Sequence, residues 1–164
     1  MRQASVENGK TIFHGKAICF MCHGPGGKGD GILAAGLRDT WGNPIRPANF
    51  TLPAGEHGGV KLGHDGEHIF KTIMTGVGGT PMPPFQGQLK PEEVWDVVHY
   101  VQSLRVDAHV AKLTASGMKK SDEEDARSRI WASLSGAARH GQIDKQLVQG
   151  TKVSQVALAE RGGR

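Results

Sequence analysis

Cys19, Phe20, Met21, Cys22 and His23 run consecutively, and they include both of the chain's cysteines. Two thiols separated by two residues, with a histidine directly behind the second, form the attachment pattern of a c-type haem. Each thiol can close a thioether to a porphyrin vinyl group, and the histidine then lies against one face of the iron. Other uses of a cysteine pair fit less well. A structural zinc site takes four Cys or His ligands, and with no second cysteine pair His57, His64 and His68 would have to improvise the rest. A thioredoxin-like pair sits beside a strand–helix–strand pattern, whereas the surroundings here are Gly-rich and helical. A disulfide across two intervening residues would be strained. A covalent haem c therefore constrains the chain most: the fold must wrap a large flat cofactor, and the chemistry is redox.

At 164 residues the chain can bury one ordinary core, or a core plus an appendage. Aromatics are only 5% of it, as expected where a cofactor supplies apolar bulk. The formal charge of +4 is uneven. Residues 1–109 carry ten Lys/Arg against ten Asp/Glu, and residues 110–164 carry ten against six, so the whole excess lies in the last third. That excess is modest, without an Arg-rich run or interleaved aromatics, which argues against nucleic acid as a partner. No segment is long and apolar enough to span a membrane, and Met1-Arg2-Gln3-Ala4 does not open a secretory signal. Because c-type attachment takes place outside the cytoplasm in bacteria, a periplasmic or otherwise extracytoplasmic protein is expected. A signal or anchor has then been removed, or Met1 has been added.

Ser5 is a candidate N-cap for a first helix carrying Val6, Gly9, Ile12 and Phe13. Gly9 costs such a helix stability unless another element must pack closely there. After His23, Gly24-Pro25-Gly26-Gly27-Lys28-Gly29-Asp30-Gly31 reads as loop, and residues 38–63 are irregular. Asp65 can cap a short helix through Ile69, Phe70, Ile73 and Met74, closed by Gly76. The prolines of Thr80-Pro81-Met82-Pro83-Pro84-Phe85 hold an extended backbone. Lys90-Pro91-Glu92-Glu93 opens the clearest helix, striped by Val94, Val97, Val98, Val101 and Leu104. No period-two strand is evident. Residues 110–120 read as a linker. Ser121 and Glu124 form a capping-box pattern ahead of Ala126, Ile130, Leu134 and Ala137, with a stop at His140-Gly141 and a weaker helix over Ile143, Leu147 and Val148.

The other face of the iron has Met74, Met82, Met118 and the histidines as candidate ligands. Met82 stands out because flanking prolines fix its backbone in a loop, and a thioether opposite an imidazole raises the reduction potential. Met74, on a helix face beside Ile73, reads as core filler. His64 and His68 read as ordinary surface histidines at a helix start.

Four segments resemble the class I (mitochondrial-type) c cytochromes in their bacterial monohaem form, over about residues 5–107. They are Asn8–Phe13, Cys19–Gly24, Gly76–Phe85 and Glu93–Leu104. The resemblance implies an all-α cytochrome c fold, short helices and loops around one covalently bound haem, with a helical C-terminal extension. It implies thioethers from Cys19 and Cys22, His23 as proximal iron ligand and Met82 as distal ligand. It also implies that the first and last helices cross at Gly9, with Phe13, Tyr100 and Trp95 around the contact. The family's Gly-Pro-x-Leu turn, which gives a carbonyl to the proximal histidine, is replaced by Ala34-Ala35-Gly36-Leu37, so Ala35 is the expected acceptor. Trp41 either bonds a haem propionate or covers the haem edge.

Two domains are expected, a monohaem cytochrome over 1–109 and a basic, partly helical extension over 110–164. With both axial positions filled, the expected function is electron transfer between a redox protein donor and acceptor, not catalysis. The extension suggests a cytochrome subunit of a larger respiratory oxidoreductase, docked through residues 121–149. The alternatives are an extension packed on the domain or disordered, a freely diffusing periplasmic carrier, or a catalytic or gas-binding haem with a displaceable Met82.

Overall fold

Gly9 and Asp96 mark where two helices press together, and most of the first hundred residues are arranged around that crossing. The computed structural model describes residues 2–53, 55–61 and 63–134. These form α1 (Arg2–His14), α2 (Phe20–His23), α3 (Gly66–Thr75), α4 (Pro91–Ala115) and α5 (Glu123–Leu134), with single 3-10 turns at Ala34–Gly36 and Lys120–Asp122. No strand occurs among the described residues; the loops touch only through isolated bridges such as Arg38 with Pro44. The all-α expectation agrees with this. The internal contacts divide the chain into Met1–Arg105 and Val106–Arg164.

In the first unit, the α4 stripe at helical spacing supplies the core. Val94, Val97, Val98 and Val101 are all at most 2% exposed, as is Phe13 from α1. Each such valine contributes about 1.5–3 kcal/mol relative to an exposed one, before conformational entropy is counted. Ile69 and Ile73 of α3 join the same cluster with Phe85 and Leu89. Phe13 meets Tyr100 edge-on, with ring centroids 5.2 Å apart. Trp95 is not part of this crossing. It stacks on Phe70 of α3 at 4.8 Å, because its position on α4 faces α3 rather than α1.

Local signals explain most helix ends. Asp65 accepts from the Glu67 amide at 3.0 Å, and Gly76 ends α3 at φ 68°. Pro91 begins α4, and the Glu93 carboxylate reaches back to the Lys90 amide at 2.8 Å. Ser5 departs from expectation. It lies inside α1, and its hydroxyl donates to Asp96 and meets His99 Nδ1 at 2.8 Å. The serine ties α1 to α4 instead of capping.

In the second unit, the segment expected to be a linker is helical as far as Ala115. No Gly or Pro interrupts it before Gly117, and Val106, Val110 and Leu113 are buried at i, i+4 and i+7 along it. Gly117, at φ 100°, and Met118, whose amide returns to the Leu113 carbonyl at 3.0 Å, close the turn. The Ser121 hydroxyl donates to Asp122 at 2.8 Å rather than forming the expected capping box, and α5 starts at Glu123. Arg127 pairs with Asp107, and Thr114 donates to Glu123 at 3.2 Å. The expected helix end at His140-Gly141 and the weaker helix over 143–148 lie outside the described residues.

Candidate functional site

α2 is one turn long, and the surrounding sequence exists to hold it. Ile18 reverses the chain after α1 at φ 46°, an unusual conformation for a β-branched residue, and so delivers Cys19 against the core. A helix this short has no internal partners for its carbonyls. The glycine loop supplies them: Gly24, Leu33, Gly31 and Gly29 donate their amides to Phe20, Met21, Cys22 and His23 at 2.8–3.1 Å. A Cβ on Gly31 would lie 2.3 Å from the Met21 carbonyl oxygen, so the loop can close over α2 only with glycine there.

Both thiols are free of any disulfide, as two separate thioethers require. Burial pushes the Cys19 thiol up to about 11, with a smaller push from Cys22 against a backbone hydrogen bond that lowers it. His23 Nδ1 lies 3.0 Å from the Ala48 carbonyl oxygen. A carbonyl only accepts, so Nδ1 carries the proton. Burial lowers the His23 pKa, the Ala48 carbonyl raising it in part, so the ring is a neutral Nδ1–H tautomer whose Nε2 lone pair is left for a metal. Phe50 stacks on the same ring at 4.5 Å and 21°.

The acceptor is thus Ala48 and not Ala35, which lies exposed in the Ala34–Gly36 turn. Ala48 lies 25 residues beyond His23, and no local sequence signal marks its carbonyl as the acceptor.

Met82 lies half-buried between exposed prolines and packs against the same core cluster as Cys19, Phe20 and Phe50. Its loop is tied down at several points. Val77 N–H donates to the Met82 carbonyl at 3.1 Å, and Met82 N–H donates to the Thr80 hydroxyl at 3.2 Å. The Phe85 amide returns to Ile73 of α3 at 2.9 Å. Met74 also packs on the cluster, from α3. Met118 belongs to the other unit. His64 is buried at 4% exposure and donates from Nε2 to the Phe50 carbonyl at 3.0 Å, so it is not the surface histidine expected. Among the described residues no cluster of three or more His, Cys, Asp or Glu could hold a metal ion, so His57, His64 and His68 do not assemble a zinc site.

Large apolar side chains flank this ensemble in the open. Ile32 is 82% exposed and Leu33 49%, next to the loop that caps α2; Trp41 is 81% and Val77 43%, at the Met82 loop. Trp41 stands on a turn held by the Asp39 carboxylate, and the neighbouring Thr40 amide donates to Gly79 at 3.0 Å. Exposed apolar side chains beside the segments that carry the thiol pair, His23 and Met82 are what a flat hydrophobic macrocycle would cover, so the residues present fit a haem.

Comparison with known proteins agrees. The cytochrome c family model matches residues 6–105. No curated protein matches the chain. Among solved structures, a chain of the reducing HAO-like protein complex of Kuenenia stuttgartiensis is similar, at 39% identity and a TM-score of 0.56. The similarity covers 62% of this chain and 44% of that one, so this chain corresponds to less than half of that chain's length. With well over half of its residues matched by the family model, the chain belongs to the cytochrome c family, and it binds one haem c covalently.

Proposed function

We propose that the chain works in haem-based electron transfer, a reading that its membership in the cytochrome c family supports. We propose that Cys19 and Cys22 hold the haem by thioethers, that His23 and Met82 are its axial ligands, and that the chain serves as the cytochrome subunit of a larger oxidoreductase. When bound, the haem supplies a reversible ferric–ferrous couple. The chain's own residues do the rest. His23 Nδ1 keeps its proton and donates it to the Ala48 carbonyl, which keeps Nε2 basic. The hydrogen-bonded loop around Thr80 fixes the backbone of Met82, whose thioether would hold the iron. Pro81, Pro83 and Pro84 limit that loop further.

The observation that carries the ligation reading is the His23–Ala48 bond, because it fixes the tautomer a proximal ligand needs. The ferric optical spectrum tests it. A far-red thioether–iron charge-transfer band is expected; a high-spin spectrum, or ready carbon monoxide binding by the untreated ferrous protein, would favour a gas-binding or catalytic haem.

The subunit reading rests on the likeness to a chain of a protein complex, and on the second unit, which a freely diffusing carrier does not need. We place the protein outside the cytoplasm, where c-type haem is attached in bacteria. No helix among the described residues is long and apolar enough to cross a membrane. Native mass spectrometry of the protein from its source, with and without residues 116–164, tests the partnership. Loss of a co-purifying subunit on truncation is expected, and unchanged assembly would leave the carrier reading.

A further inference from the structure

The backbone segment that meets His23 is held from behind by buried polar side chains that the electron-transfer reading does not use. Ala48 accepts from His23 Nδ1 at 3.0 Å, and two residues later the Phe50 ring stacks on the same imidazole. The Phe50 carbonyl accepts from His64 Nε2 at 3.0 Å, and the Thr51 carbonyl accepts from Arg105 at 3.3 Å. His64 is itself fixed from α4, where the Gln102 amide donates to its carbonyl at 2.8 Å. His64, Gln102 and Arg105 are 4%, 3% and 8% exposed. Burying two amphipathic polar groups and a guanidinium beside an apolar core costs stability unless each is paired. Here each donates to a carbonyl of the segment that bears on His23, or of His64.

We infer that His64, Gln102 and Arg105 are positioning residues for the proximal histidine: Arg105 of α4, and His64 held by Gln102 of α4, brace the Thr51 and Phe50 carbonyls beside Ala48 and so set the strength of the His23–Ala48 hydrogen bond. The inference rests on His23 being the proximal ligand. Its consequence follows from the chemistry of the imidazole. A firm acceptor at Nδ1 makes Nε2 a better donor, which favours the ferric state and lowers the reduction potential. Loosening the brace weakens that bond and raises the potential. None of the three side chains needs to touch the haem to do this.

The test uses the haem-loaded full chain and reads the ferrous protein by NMR and the midpoint potential by spectroelectrochemistry. In the unaltered protein, His23 ring protons shifted by the porphyrin ring current are expected; their absence would overturn the axial reading and this inference with it. In His64→Phe, the midpoint potential should rise and the His23 Nδ1 proton should exchange with solvent several-fold faster. His64→Gln keeps an amide donor and should return both values toward those of the unaltered protein. If His64→Phe does not fold, Gln102→Leu replaces it, with shifts in the same direction. Ring-current-shifted His23 protons together with an unchanged potential and unchanged exchange in the folded variant would overturn the inference, even if that variant melts earlier.

Discussion

Gly9 and Asp96 approach so closely that a Cβ built on the glycine would lie 1.9 Å from the Asp96 carbonyl oxygen and 2.4 Å from its carbon. The obstacle is backbone, so no rotamer change relieves it, and the crossing of α1 and α4 would have to open. Gly9→Val should therefore destabilise the haem-loaded protein by about 3 kcal/mol or more, at the upper end of overpacking effects. Denaturant unfolding should show a lowered midpoint at similar slope. Gly26 has nothing within 4 Å of its Cβ position, so Gly26→Ala is the control and should stay within about 0.5 kcal/mol. Similar losses in the two variants would remove the crossing as the cause.

Ser5 offers a second measure of the same contact. Its hydroxyl donates to the Asp96 carboxylate and meets His99 Nδ1 at 2.8 Å, in a part-buried setting. Ser5→Ala should cost about 1.5–3 kcal/mol, the range for a hydrogen bond to a charged group. A helix cap would cost a similar amount, so the discriminating experiment is a double-mutant cycle with Asp96→Asn. Coupling between the two positions is expected, and additive losses would restore the capping role that the sequence suggests.

That serine shows where sequence reasoning stops. Cys19 to His23, Asp65, Pro91 and the valines of α4 are legible because each acts through near neighbours or through one fixed period. Ser5 carries a local cap signal, yet a partner 91 residues away claims its hydroxyl, and no spacing rule reports that. Ala48 illustrates the same gap at the site. The family pattern puts the acceptor for His23 directly after the glycine loop, whereas the chain supplies it from beyond a further turn at Asp39–Asn43. His64 reads as a surface residue because its flanks are polar, and only the fold brings Phe50 and α4 over it. The helix past Leu104 is hard to read because the valine stripe ends there, and Val106, Val110 and Leu113 take up a separate i, i+4, i+7 set on another face of α4.

Replacement of Met82 separates ligand from loop. In Met82→Ala the proposed thioethers still retain the haem, but the soft neutral ligand is gone. The far-red ferric band should disappear and the midpoint potential should fall. The ferrous protein should change from negligible to stoichiometric carbon monoxide binding. Met74→Leu, a volume-conserving change on α3 within the core, should leave all three readouts in place and cost less than about 1.5 kcal/mol. A lost band in Met74→Leu with an intact one in Met82→Ala would reverse the assignment.

Acid should weaken the fold before the carboxylates titrate. Burial lowers the pKa of His64 from 6.5; the Phe50 carbonyl offsets part of that and the Arg105 charge adds to it. The folded protein therefore refuses a proton that the unfolded chain accepts. The stability this represents is complete above about pH 6.5 and is lost as pH falls through that value toward the lower folded pKa. Burial shifts His99 in the same direction, with Asp96 opposing. Asp39 and Glu93 are also held low, through their hydrogen bonds to Asn43 and Lys16, but they respond only below the ordinary carboxylate range near pH 4. Between pH 7 and 5 the unfolding free energy should thus decline with a slope of at most about 1.4 kcal/mol per pH unit from His64. His64→Gln keeps the donor to Phe50 but has no proton to refuse, so its stability profile should be flatter over that window. Guanidinium titrations of both proteins at several pH values measure the difference, and parallel profiles would show that His64 is not the group responsible.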